Sequence, residues 1–146
     1  MTHSRITIAT RKDLPGLFEL WESSVRATHT FLSETELNSL APLARAEITT
    51  FEPVYCLRSS DERPIGMLGV EGCKIEMLFV HADYLHTGAG RRLTEFAVHE
   101  LRANSVDVNE QNEAAIGFYK HMGFRVKSRS PLDSMGNPFP ILHMVL

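Results

Sequence analysis

The apolar positions of this chain alternate between two periods, and the switches mark out its elements. Over Arg5–Ala9, Ile6 and Ile8 sit between polar residues, the period-two pattern of a strand. Asp13 ahead of Leu14-Pro15 reads as a helix cap followed by an early proline. Leu14, Leu17, Phe18, Trp21 and Val25 then repeat at helical spacing, which predicts a helix to about Thr28. Ser33-x-x-Glu36 is a capping box for a second helix, with Leu37, Leu40, Ala44 and Ile48 on its apolar face. Pro42 predicts a kink or a split in that helix. Val54–Arg58, Pro64–Val70 and Cys73–Val80 follow as an antiparallel meander with turns at Ser59–Arg63 and Glu71-Gly72. Gly66 and Gly69 weaken the middle strand or let a neighbour come close.

A helix over Gly90–Arg102 would turn Leu93, Phe96, Ala97 and Leu101 inward, and Ser105–Val108 is long enough only for a strand. Asn112–His121 reads as a helix with Ala115, Ile116, Tyr119 and Met122 near one face and Gly123 as its C-terminal cap. Phe124–Ser130 and Phe139–Leu146 are the closing strands. This order predicts an α/β (α+β) fold, a mostly antiparallel mixed sheet of six to seven strands with about four helices. The strand, helix, strand succession around residues 77–108 predicts one parallel pair inside it.

The 146 residues, without repeat or linker, fit a single domain over 1–146. A net charge of −3 leaves no basic excess to neutralise phosphates, so no nucleic-acid partner is expected. No apolar stretch reaches the length of a membrane span, and Met1-Thr-His-Ser-Arg5 has no apolar signal core; a cytoplasmic protein without a membrane partner is expected. Monomer and homodimer are both open. Cys56 and Cys73 lie in or beside apolar strand patterns and read as reduced core or half-buried thiols. None of the seven histidines pairs with Cys, Asp or another His at a zinc-like spacing, so no metal is expected.

The chemistry concentrates in Val80–Leu93. A strand enters, Gly88 and Gly90 occupy the turn, Arg91 and Arg92 follow, and a helix starts. The first N–H groups of a helix lack internal partners and carry the positive end of its dipole, and glycines let a phosphate approach the backbone. Two arginines oppose the dipole in a first turn, which makes sense beside a bound anion. The other reading is a plain strand-to-helix turn with its arginines in solvent. Gly-Lys-Ser/Thr is missing, as is the third glycine of a dinucleotide fingerprint, so a different phosphate-bearing ligand is indicated.

Leu85-x-x-Gly88-x-Gly90 resembles the Arg/Gln-x-x-Gly-x-Gly/Ala acetyl-CoA motif of the GNAT superfamily of N-acetyltransferases. The run Asn109-Glu-Gln-Asn-Glu-Ala-Ala-Ile-Gly-Phe-Tyr-Lys-His-Met-Gly-Phe124 is similar to that family's longer and more specific Asn-x-x-Ala-x-x-Phe-Tyr-x-x-x-Gly-Phe segment. Ser24–Leu32, taken with Gly136-Asn-Pro-Phe-Pro140, looks like one bacterial subgroup of it. Three positions depart from the pattern. Leu85 stands where Arg or Gln is usual, His86 where glycine is common and Ala82 where proline is frequent. A leucine donates no hydrogen bond, which leaves Arg91 and Arg92 as the cations at hand.

The resemblance implies the GNAT fold, with a V-shaped gap between the strand ending near Val80 and Ser105–Val108. The pantetheine arm of acetyl-CoA would lie in that gap like a short extra strand on the backbone of Leu78, Phe79 and Val80. Its pyrophosphate would sit on the N–H groups of His86, Thr87, Gly88, Ala89, Gly90 and Arg91. Asn112 would bond the pantetheine, cap the next helix, or both. Tyr119 matches the family's general acid, since a phenol of ordinary pKa, about 10, is protonated and can donate to a leaving thiolate; otherwise it is an aromatic anchor. Glu76 and Asp107 are the candidate bases for an ammonium acceptor, or else solvated or salt-bridged strand residues. Phe79 or Val80 N–H would meet the negative charge developing on the carbonyl oxygen. His29 and Phe31 would line the acceptor side, with Phe18 and Trp21 in the core. The implied activity is transfer of acetyl from acetyl-CoA to a primary amine of a small molecule or peptide. The competing readings are a non-catalytic acyl-CoA-binding or sensing domain and a binding protein for another nucleotide.

Overall fold

Seven strands make one sheet in the order β1-β2-β3-β4-β5-β7-β6. The structure, a computed structural model, describes residues 5–146. The strands are β1 (Arg5–Ile8), β2 (Tyr55–Arg58), β3 (Pro64–Glu71), β4 (Lys74–Val80), β5 (Ser105–Asn109), β6 (Arg125–Ser130) and β7 (Ile141–Val145). The helices are α1 (Leu14–Thr28), α2 (Glu34–Thr50), α3 (Ala89–His99) and α4 (Glu113–His121). All strand pairings are antiparallel except β4 with β5, the expected parallel pair. Two short 3-10 turns, Arg11–Asp13 and Ala82–Tyr84, lie outside the periodic pattern. No helix among the described residues is long and apolar enough to cross a membrane.

The period-two alternation sorts the strand residues between two cores. Cys56, Met67 and Met77 pack with Leu17, Leu20, Trp21 and Val25 of α1 and with Leu37 and Ile48 of α2. Leu57, Leu68, Val80, Val106, Val108 and Met144 pack on the opposite face with Leu93 and Ala97 of α3 and Tyr119 of α4. The β3 glycines serve close approach. A Cβ on Gly66 would stand 2.7 Å from Leu93 Cδ1, and one on Gly69 would stand 2.7 Å from the Phe51 ring.

One irregularity shapes everything near the gap. Gly69 faces Met77 but Val70 faces Ile75, which leaves Glu76 as the surplus residue of a β-bulge. Ile75 consequently packs in the α3–α4 core and Met77 in the α1–α2 core. β4 keeps β5 only at Lys74↔Ser105 and Ile75↔Val106, after which the two strands diverge. The closed end is tied again where Asn104 and Ser105 N–H donate to the Cys73 carbonyl, at 2.7 and 3.2 Å.

Four details differ from the sequence reading. Asp13 does not cap α1 with its side chain. Its carboxylate accepts instead from Thr10 N–H at 2.8 Å and from both Arg58 Nη atoms, at 2.9 and 2.8 Å. The segment Thr10–Asp13 closes a 3-10 turn first, and that turn claims the cap. Pro42 neither splits nor ends α2, because it lies on the exposed side, where the carbonyl it leaves unpaired can meet water. Cys73 is exposed rather than half-buried, because the hairpin turn includes it and β4 starts one residue later. α3 stops at His99, short of Arg102, whose φ of 63° is left-handed.

The Asp13–Arg58 pair is 87–88% withdrawn from solvent at both side chains, being 13 and 12% exposed. Hydrogen bonding from Arg58 holds the Asp13 carboxyl down at about 2, against a smaller opposing effect of burial. A depressed folded pKa contributes stability that is present above the unfolded value and disappears as pH falls through the folded one. Wild-type stability, measured by urea unfolding, should fall by about 2 kcal/mol through this pair between pH 4 and pH 2. The Asp13→Asn variant should start lower and lack that component of the slope. Gly69→Ala should destabilise by about 1–3 kcal/mol in the same assay, because the Phe51 ring blocks the new methyl group.

Candidate active site

The gap opens where β4 and β5 part. His81 N–H donates to Ile65 O at 2.9 Å, which fixes the phase of the β3–β4 ladder. Antiparallel pairs alternate between bonded and non-bonded, so Phe79, opposite Met67, turns its N–H and C=O toward β3. Leu78 and Val80 turn theirs into the gap. Phe79 therefore supplies its side chain to the site rather than its amide, and the backbone groups available to a ligand are those of Leu78 and Val80. Unpaired strand amides are costly to bury, so the gap suits an amide-bearing ligand laid along it.

A cavity of about 380 Å³ occupies this gap. Its walls include Leu78, Phe79 and Val80 from β4, His86, Gly88, Gly90 and Arg91 from the glycine loop, and Asn112 and Tyr119 from α4 and its cap. Glu76, Asp107 and His29 line it as well. Thr87 and Ala89 do not. Thr87 Oγ1 donates to the Tyr84 carbonyl at 2.5 Å, and Ala89 is buried in the α3–α4 core. Phe31 stands just outside, its ring 5.3 Å from His29 and 6.1 Å from Phe139. Several contributors carried no site assignment in the sequence. Ser24 and Thr28 line the wall one helical turn apart on α1, inside the Ser24–Leu32 stretch but with no role assigned to either from the sequence. Phe139, on the long β6–β7 connection, stands beside Phe31 just outside the cavity.

At one end the loop presents a helix N-terminus. Gly88, at φ 92°, is the left-handed N-cap of α3. The first i→i−4 bond runs from Arg92 N to Gly88 O at 3.0 Å, so the N–H groups of Ala89, Gly90 and Arg91 precede the helical ladder. That is a fit for a diphosphate. His86 has a φ of 63°, which explains why glycine is the usual residue there; a side chain in this conformation costs about 1 kcal/mol. Arg91 is exposed and reaches Glu95 at 3.5 Å. Leu85 packs against the α3–α4 core, so it serves as an apolar anchor for the loop. Asn112 caps α4, its Oδ1 accepting from Ala115 N–H at 3.1 Å, and the residue also lines the cavity.

The other end carries the titratable groups. Tyr119 is 6% exposed, with the rings of Phe118 and Phe124 edge-on at 5.2 and 5.5 Å. Burial raises its pKa far above that of a free phenol, so it stays protonated. Burial also resists ionisation of Asp107, but hydrogen bonds from Lys74 and His143 outweigh it and hold the carboxyl below its ordinary range. Lys74 Nζ lies 2.6 Å from Asp107 Oδ2 and 3.8 Å from Glu76 Oε1. Glu76 is thus the less firmly paired of the two acids. Burial pulls the His29 pKa down, which favours a neutral ring bonded to Thr28 Oγ1 at 2.9 Å.

Comparison with known proteins bears on this geometry. Residues 34–144 match the acetyltransferase (GNAT) domain family. The chain is 37% identical over 128 residues to the peptidyl-lysine N-acetyltransferase YjaB of Escherichia coli K12, across 88% of this chain and 86% of that protein. Its fold superposes on the solution structure of apo-form YjaB from Escherichia coli with a TM-score of 0.91 and 34% identity, covering 97 and 96% of the two chains. A PaiA N-acetyltransferase of Thermoplasma acidophilum, solved in complex with coenzyme A, shares the fold at a TM-score of 0.70 and 20% identity over 98 and 99%. The family match spans most of the chain and coincides with the strand gap, the glycine loop and the tyrosine helix: the chain belongs to the GNAT family and is an N-acetyltransferase.

Proposed function

We propose that this enzyme carries acetyl from acetyl-CoA to the side-chain amine of a lysine in a polypeptide. The observation that carries this reading is the single cavity wall on which Leu78 and Val80 meet Tyr119, Glu76 and Asp107. The donor, when bound, supplies an acetyl group activated as a thioester. Leu78 and Val80 hold the amides of its arm, and Gly88 to Arg91 hold its phosphates. Val80 N–H donates to the carbonyl oxygen as negative charge grows there. Glu76 takes the proton that a lysine ammonium must lose before its nitrogen can attack. Tyr119 gives its proton to the departing sulfur.

The acceptor side supports a cationic amine. Glu76 and Asp107 line it, and burial together with the Glu76 charge raises the pKa of Glu47 on α2, which places a third acid within electrostatic reach. The His29, Phe31 and Phe139 rings form an apolar rim suited to the stem and neighbours of a lysine within a peptide. The peptidyl-lysine activity named for YjaB agrees with that choice.

Tyr119→Phe should lower kcat by about two orders of magnitude with acetyl-CoA affinity nearly unchanged, measured by thiol release on a lysine peptide and by titration calorimetry. Undiminished turnover would remove Tyr119 from the acid role. Glu76→Gln should reduce kcat/KM by about two orders of magnitude at pH 7. The deficit should narrow as pH rises toward the amine's pKa, about 10.4, where free amine no longer needs a base.

A further inference from the structure

Acetylation of an ammonium ion obliges one proton to leave the site in each turnover. The nitrogen sheds two protons as it becomes an amide. One ends on the sulfur by way of Tyr119, and the other has to reach solvent. The acids of the cavity wall are joined to a row of hydrogen bonds that leads outward. Lys74 Nζ donates to Asp107 Oδ2 at 2.6 Å. Asp107 Oδ1 meets His143 Nδ1 at 2.7 Å, and His143 Nε2 meets Ser130 Oγ at 2.7 Å. Asp107 lines the cavity, whereas His143 and Ser130 do not.

Sheet register builds this row. Asp107 lies opposite His143 in the β5–β7 ladder. A register shift between Val126 and Ser128 sets Ser128 opposite His143, with Ser130 two pairs along, opposite Ile141. Val106, Val108 and Met144 face the α3–α4 core, so Asp107 and His143 share the other side of the sheet. Their side chains are 33 and 34% exposed there, against 38% for Lys74 and 31% for Glu76. The groups that face His143 or adjoin its partner are therefore Asp107 from β5, Ser128 and Ser130 from β6, and Lys74 and Glu76 from β4.

We propose that His143 is the proton exit of the enzyme, passing the amine's proton from Asp107 on the cavity wall to Ser130 and solvent. The inference rests on the acetyl-transfer reading above. Glu76 takes the proton first, and Asp107, which shares Lys74 with it, is the next acceptor along the wall. A proton on Asp107 Oδ1 moves to His143 Nδ1, and the proton on Nε2 leaves through Ser130 to bulk water. At rest Nδ1–H donates to the Asp107 anion; once Asp107 takes a proton, the ring exchanges to its Nε2–H tautomer through the water that its exposed side meets, the two transfers follow, and the ring is back at Nδ1–H with Asp107 an anion and one proton released. An imidazole can do this without moving a heavy atom, because it accepts at one nitrogen and donates at the other. Lys74 cannot, because an ammonium has no acceptor site. It fixes Oδ2 and leaves Oδ1 to His143. Ser130 is an exit rather than a nucleophile, since it lies outside the cavity that would hold the thioester. His143 acts through Asp107 and is a positioning and relay residue.

The test compares wild type with His143→Gln and His143→Ala on a lysine peptide. Glutamine keeps a donor for Asp107 but cannot relay, so a purely architectural role would survive in it. Both variants should lose roughly ten-fold in kcat, with the acetyl-CoA KM changed by less than about two-fold and melting temperature near wild type. Added imidazole should restore His143→Ala saturably and leave His143→Gln slow. Both variants should quicken with buffer concentration while wild type is indifferent. A glutamine variant at wild-type rate would overturn the relay, as would an alanine variant that ignores imidazole and buffer. Either result leaves acetyl transfer itself intact. A wild-type enzyme that acetylates no amine would overturn the transfer reading and the relay together.

Discussion

Glu76 has no partner across β3, and the architecture of the site follows from that single surplus residue. An extra residue on one strand bends it and steepens its twist. β4 can therefore pair with β5 for two residues and no more. What opens beyond is a gap whose floor is the α3–α4 core and whose side is a row of strand amides. The same residue reverses the alternation, so Ile75 and Met77 enter opposite cores and both helix layers remain filled. The bulge also delivers its own carboxylate to the cavity wall.

Two kinds of environment meet across that wall. Tyr119 is buried and kept protonated, because the rings of Phe118 and Phe124 pack edge-on with it and burial withholds the water a phenolate would need. Asp107 sits in a wetter place, yet Lys74 and His143 hold it ionised. Groups whose surroundings push their proton affinities apart are the ones an enzyme can assign as acid and base. Glu76, 3.8 Å from Lys74 Nζ against 2.6 Å for Asp107, is the less firmly held of the two carboxylates on the wall.

The helices and most strands were legible because burial imposes a period on apolar residues, and α1, α2 and α4 end within a residue or two of where that period stops. The bulge was illegible. Ile75, Met77 and Phe79 are apolar whichever side they face, so a strand with one residue too many reads the same as a regular one. The glycine loop announced itself through Gly88, whose positive φ excludes most side chains. Asp107 and His143 did not, since 36 residues separate them and only the β5–β7 register joins them. Asp13 misled for the opposite reason: its local sequence is a good cap, but a cation from β2 offered more.

The seam between β4 and β5 is also a raw sheet edge brought indoors. At the rim of a protein, a row of free strand amides is a template on which other chains pair and aggregate. Here the row lies between the glycine loop and α4, in a slot of about 380 Å³. A polypeptide would have to bring side chains on both faces of its backbone, and one of those faces is already filled by Leu93 and Tyr119. A slender arm with a few amides and little else passes. The fold thus keeps a sticky edge available to a small molecule while denying it to its neighbours.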